Sequence, residues 1–131
     1  MARTLPGRRA DRVGLYGMCI GGYAALWDAS TGADVQAVVA DAPAHAPTNG
    51  PAKSLDVLPG LSAPLLIMHG TADKLVPVEQ SREYEQAAHS LGKQLIASYF
   101  DGAGHIVSVQ PESQAEARKR AIAFLQEHLL K

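Results

Sequence analysis

The sequence predicts an α/β protein built on about four parallel strands with flanking helices, on three observations. Short runs of almost unbroken apolar residues recur along the chain. Longer stretches between them repeat apolar residues at spacings of three and four. The two kinds of segment alternate. Near-continuous apolar runs suit strands buried on both faces, and strands alternating with helices imply a parallel sheet with right-handed crossovers.

The elements follow in order. Val13 to Met18 forms the first run and ends in a glycine-flanked, turn-prone segment. Gly21 to about Ser30, short and rich in small residues, is the first helix. Residues 35–40 form the second run, and Pro43 to Pro64 holds five prolines and reads as an irregular loop with a short turn of helix. The third run is 64–69. A helix then starts near Pro77 and stops at Gly92, with Tyr84, Ala87, Ala88 and Leu91 on its apolar side. The fourth run is 95–100, and the last helix begins near Pro111 with Ala121, Ile122, Leu125 and Leu129 on one face and Arg118 at its margin.

Composition bounds the function. The 131 residues make one expected domain, 1–131, and 47% hydrophobic against 19% charged residues argues against disorder. Twelve Lys+Arg against thirteen Asp+Glu leave a net charge of −1, which lacks the basic face a nucleic-acid binder needs. A single thiol, Cys19, excludes an internal disulfide. The start has basic residues without an apolar run behind them, and nothing approaches the roughly 20 apolar residues of a membrane span. A cytoplasmic protein without nucleic-acid or membrane partners is the expectation. Arg3, Arg8, Arg9 and Arg12 read as a solvated basic terminus.

The chemistry concentrates in three segments. Gly17-Met18-Cys19-Ile20-Gly21-Gly22 sits at a strand end and opens a helix. A nucleophile on such a sharp turn has cramped neighbours, so glycines two residues to either side are expected. The helix N-terminus offers free N–H groups and a positive dipole end that favour a thiolate and a developing oxyanion. His69-Gly70-Thr71-Ala72-Asp73 follows the third strand, and Gly102-Ala103-Gly104-His105 follows the fourth. Nucleophile, acid and histidine, in that order, each lie past the C-terminal end of a parallel strand, where open α/β sheets place their sites.

With Val76-Pro77 added, these segments resemble the α/β-hydrolase superfamily and, within it, the dienelactone hydrolase family. The resemblance implies a truncated α/β-hydrolase-like fold, a cysteine nucleophile at Cys19, a triad acid at Asp73 and a general base at His105. It further implies hydrolysis of esters, lactones or some thioesters without metal or organic cofactor. The backbone N–H of Ile20 would be one oxyanion donor, with Met18 and Tyr23 beside it as oxyanion or substrate contacts. The family carries further strands before the nucleophile strand, and its second oxyanion donor comes from a loop there. Loss of one such donor is worth on the order of 10²–10³ in rate. A homodimer that covers the open edge of the first strand and completes the site is the expectation. The alternatives are a non-catalytic half-hydrolase binding module and an acyltransferase using the same groups.

Other residues have plainer readings. Asp101 is the competing partner for His105. His69 is expected to make a structural hydrogen bond, His45 to lie in the proline-rich loop beside the pocket, and His89 and His128 to be solvated. Tyr16 and Tyr23 flank the nucleophile turn as packing or substrate contacts, and Trp27 packs on the sheet or the interface. A lone thiol among scattered histidines makes a poor zinc site.

Overall fold

The computed structural model describes residues 11–45 and 53–130. Its strands are β1 (Gly14–Met18), β2 (Ala37–Asp41), β3 (Leu65–Gly70) and β4 (Leu95–Phe100). The helices are α1 (Ile20–Ser30), α2 (Ser54–Val57), α3 (Val78–Ser90) and α4 (Gln114–Leu129), with a 3-10 turn at Leu58–Gly60. The strands lie side by side in chain order, all parallel. The α/β class and the four-strand sheet read from the sequence are those observed. Arg3, Arg8 and Arg9 lie outside the described residues, and Arg12 pairs with Asp11 at 3.9 Å.

Alternation along β2 and β3 sorts the core into two layers. Val38, Ala40, Leu65 and Ile67 face α1 and α3, meeting Ala25, Leu26, Tyr84 and Ala88. Val39, Leu66 and Met68 face the other way onto Ala117, Ala121 and Phe124 of α4. A sequential order with its crossover helices on one face leaves the second face to the final helix, so α4 must cross beneath the sheet.

Burial on both faces holds only for β2 and β3, every residue of which is buried. β1 and β4 are the edges of the described sheet and are half-open, with Tyr16, Met18 and Ile96 exposed. Apolar continuity alone does not separate an edge strand from a central one. On α4 the buried line is Ala117, Ala121 and Phe124, whereas Ile122 is exposed. The face is rotated from the expected one because small Ala residues allow close approach to the sheet and the larger aliphatics flank it. On α3, Leu91 is also exposed, and Ser81 takes an unexpected buried place.

Candidate active site

Cys19 stands between β1 and α1 with φ 55° and ψ −115°, a backbone that side-chain-bearing residues rarely adopt. The turn survives because it is tied down on both sides. The Cys19 N–H donates to Asp41 O at 2.9 Å, continuing the β1–β2 ladder, and Cys19 O accepts from Gly22, Tyr23 and Ala44. Gly17 is required: a Cβ there would stand 2.1 Å from Gly21 O. Gly22 is also tight, its Cβ direction meeting Pro43 at 3.0 Å. The expected need for glycine at 21 is corrected, since a Cβ on Gly21 would meet nothing within 4 Å. The cramped partners of this turn are therefore Gly17 and Gly22.

Asp73 and His105 are brought together. Past the end of β3, Asp73 Oδ1 accepts the Leu75 and Val76 N–H groups at 2.8 and 2.9 Å. Oδ2 meets His105 Nδ1 at 2.7 Å. An ionised carboxylate only accepts, so Nδ1 carries the proton and Nε2 of the neutral ring is left with its lone pair. Burial pushes the Asp73 carboxyl up, but the hydrogen bonds from His105, Val76 and Leu75 outweigh it and hold the group below the usual carboxylate value. Gly70 makes the approach possible, because a Cβ there would lie 2.2 Å from Ala103 O, in the loop that delivers His105. Asp101 does not compete: it is exposed and accepts from Thr71 Oγ1 at 3.4 Å.

His69 is fully buried under this pair. Its Nε2 stands 2.8 Å from Val76 O, a group that can only accept, so Nε2 carries the proton and Nδ1 accepts from Ser81 Oγ at 2.5 Å. Burial lowers its pKa, opposed in part by the Val76 carbonyl and the nearby Asp73 and Asp41 carboxylates, which keeps the ring neutral. The expected structural hydrogen bond is present and belongs to the Asp73 loop.

Asp41 was not singled out from the sequence. It ends β2, is fully buried, and accepts Val107 N–H on Oδ1 at 3.2 Å and Ser108 N–H on Oδ2 at 2.9 Å. The Ser108 hydroxyl also donates to Oδ2. Burial raises its pKa, and the Ser108 and Val107 hydrogen bonds offset only part of that. A signal existed: an acid closing an otherwise apolar central strand cannot be buried without donors waiting for it.

The remaining candidates are dispersed. Ile20 and Met18 are exposed beside Cys19, which is itself half-buried with a free thiol. As the first residue of α1, Ile20 has an N–H without an intrahelical acceptor. Tyr23 is half-buried, its ring 6.0 Å from that of Trp27. Tyr16, Met18, Ser108, Val109 and Arg118 line an open cleft on the α4 face. His45 is anchored away from solvent by Gln80 and packs edge-on against Tyr84. His89 is exposed, whereas His128 is half-buried against Phe124, 4.6 Å between centroids, contrary to the solvated reading. Among the described residues, no group of three or more His, Cys, Asp or Glu side chains could hold a metal ion, and no helix is long and apolar enough to cross a membrane.

Comparison with known proteins places the family and the fold. The profile described as "Dienelactone hydrolase family" matches residues 1–129. An acylaminoacyl peptidase from Pyrococcus horikoshii superposes with a TM-score of 0.87 at 20% identity, over 98% of this chain and 26% of that one. A monoacylglycerol lipase from Paleococcus ferrophilus gives 0.73 at 21% identity, over 90% and 69%. A dienelactone hydrolase-like promiscuous phosphotriesterase from metagenomic libraries gives 0.78 at 19% identity, over 95% and 56%. At these identities the likeness is one of α/β-hydrolase fold. The chain spans about a quarter of the peptidase's length.

Proposed function

The chain belongs to the dienelactone hydrolase family, and from that premise we propose that it hydrolyses carboxylic esters or lactones through Cys19, His105 and Asp73. The observation that carries the reading is the Asp73–His105 hydrogen bond at 2.7 Å, formed at the same end of the sheet as the strained Cys19 turn. Family membership supports a hydrolase, and the cysteine mechanism and ester or lactone substrate are what the site's geometry adds to it.

In that mechanism His105 Nε2 takes the thiol proton as Cys19 Sγ attacks the acyl carbon. The carbonyl π pair moves onto oxygen, and the Ile20 N–H at the head of α1 donates to the resulting oxyanion. Collapse breaks the C–O bond to the alcohol, which takes the proton from His105. Water then enters, gives a proton to His105 and attacks the thioester; the acid leaves and the proton returns to sulfur. Asp73 holds the imidazole in the required tautomer throughout. Met18 and Tyr23 are the neighbouring side chains available to an acyl group. A homodimer paired along β1 extends the proposal, supported by exposed Tyr16 and Met18 on that edge strand.

The test is release of p-nitrophenol from p-nitrophenyl acetate by wild type and Cys19→Ala, each sized by light scattering. Turnover abolished in the variant is the expected result, with a dimeric mass. A folded wild type with no turnover on any activated ester overturns the hydrolase reading in favour of a binding module.

A further inference from the structure

We propose that Asp41 is the positioning residue that holds the Cys19 turn and the His105 loop in fixed relation to each other. Its backbone carbonyl takes the Cys19 N–H at 2.9 Å, and its carboxylate takes the Val107 and Ser108 N–H groups at 3.2 and 2.9 Å. One residue therefore binds the nucleophile's own amide and the chain two residues beyond the base. The strain in the molecule gathers around it. Among the described residues three non-glycine positions have positive φ: Cys19 at 55°, Ala42 at 51° and Ile106 at 68°. Cys19 is bonded to Asp41, Ala42 follows it, and Ile106 precedes the Val107 that donates to it. Sparsely populated conformations persist only where surrounding bonds over-determine them.

The loop is braced from behind as well. Ser113 Oγ donates to Val107 O at 2.7 Å, and Arg118 Nε donates to Ser108 O at 2.9 Å. Those contacts leave the loop's N–H groups pointing at Asp41, so the carboxylate is the acceptor that sets its position over β2. An amide at position 41 keeps the volume but replaces one accepting oxygen with a donor, which then faces Val107 or Ser108 N–H.

The proposal rests on the Cys19–His105 reading, and its test carries a readout independent of turnover. Asp41→Asn and Ser108→Ala are compared with wild type by amide hydrogen exchange and by steady-state kinetics on p-nitrophenyl acetate. In Asp41→Asn, exchange at Cys19, Val107 and Ser108 is expected to accelerate together while Leu66 and Ile67 in β3 stay protected. Its kcat is expected to fall about 10- to 100-fold with KM within about twofold, as displacement of an otherwise intact site produces. Ser108→Ala, which keeps both backbone bonds, shows the same pattern at smaller amplitude. Acceleration spread evenly into β3, or confined to Val107 and Ser108 with kcat unchanged, overturns the proposal. If Asp41→Asn does not fold, unchanged exchange in Ser108→Ala overturns it, and local acceleration that includes Cys19 supports it. A wild type without turnover counts against the function alone, because the exchange pattern still reports on the coupling.

Discussion

His69 and Asp73 lie four residues apart, and His69 Nε2 stands 3.3 Å from the same carboxylate oxygen that accepts His105 Nδ1–H. The buried ring thus lies under the Asp73 carboxylate. It also holds Val76 O, the far end of the loop whose N–H groups grip Asp73 Oδ1. The neutral state of this imidazole has consequences for stability and for the carboxylate above it.

The first concerns pH. A histidine whose folded pKa lies below its ordinary 6.5 binds fewer protons folded than unfolded. Its stabilising contribution is complete above 6.5 and is lost as pH falls toward the folded value. Asp73, depressed below 3.8, adds a second loss at lower pH, while the raised Asp41 pulls the other way there. Urea midpoints are expected to decline from about pH 7 toward pH 5, and His69→Gln to remove that decline while lowering the plateau. A pH-independent midpoint in wild type over that range would count against it.

Asp73→Asn should separate geometry from charge. The amide oxygen can still accept from Leu75 and Val76, but its NH2 would face His105 Nδ1 and force the proton onto Nε2. On the proposed mechanism kcat falls by about 10³–10⁴, far more than the modest drop in unfolding midpoint that loss of the stabilised carboxylate charge brings. Full activity in the variant would remove Asp73 from the reaction.

Gly17 and Gly21 should differ sharply although both frame the same cysteine. Gly17→Ala drives a Cβ into Gly21 O and is expected to cost about 3 kcal/mol or more. Gly21→Ala has open space in a helix first turn and should change stability by less than about 1 kcal/mol, in the favourable direction. Paired urea melts decide it.

Cys19→Gly is predicted to stabilise the fold by about 1 kcal/mol, because glycine adopts φ 55° without a Cβ penalty. On the proposed mechanism the same substitution abolishes turnover. A thermal melt and an esterase assay on one sample show whether strain at the turn is retained for function.

The order of elements and the three site segments were legible in the sequence because they depend on local rules. Apolar runs, helical spacing, Pro77 and Gly92 mark strands and helix ends within one or two residues of those observed, except the start of α4, which lies three residues past Pro111. Glycine 17 announces a turn that no side chain would permit. What the chain alone could not reveal is that β4 is an edge too, why Ile122 faces solvent, or that Gly21 has room to spare. Those depend on what packs against a residue from distant sequence.

By itself, then, the sequence determined an α/β chain with a cysteine turn, an acid and a histidine past the ends of its first, third and fourth strands, through periodicity and the steric demands of tight turns. Only the tertiary structure decided their partners. Asp73 rather than Asp101 meets His105, His69 lies buried beneath them, and Asp41 joins the Cys19 turn to the loop after His105. The reason is physical: a hydrogen bond is set by position in space to within a few tenths of an ångström, and sequence spacing carries no such distance for groups on different strands.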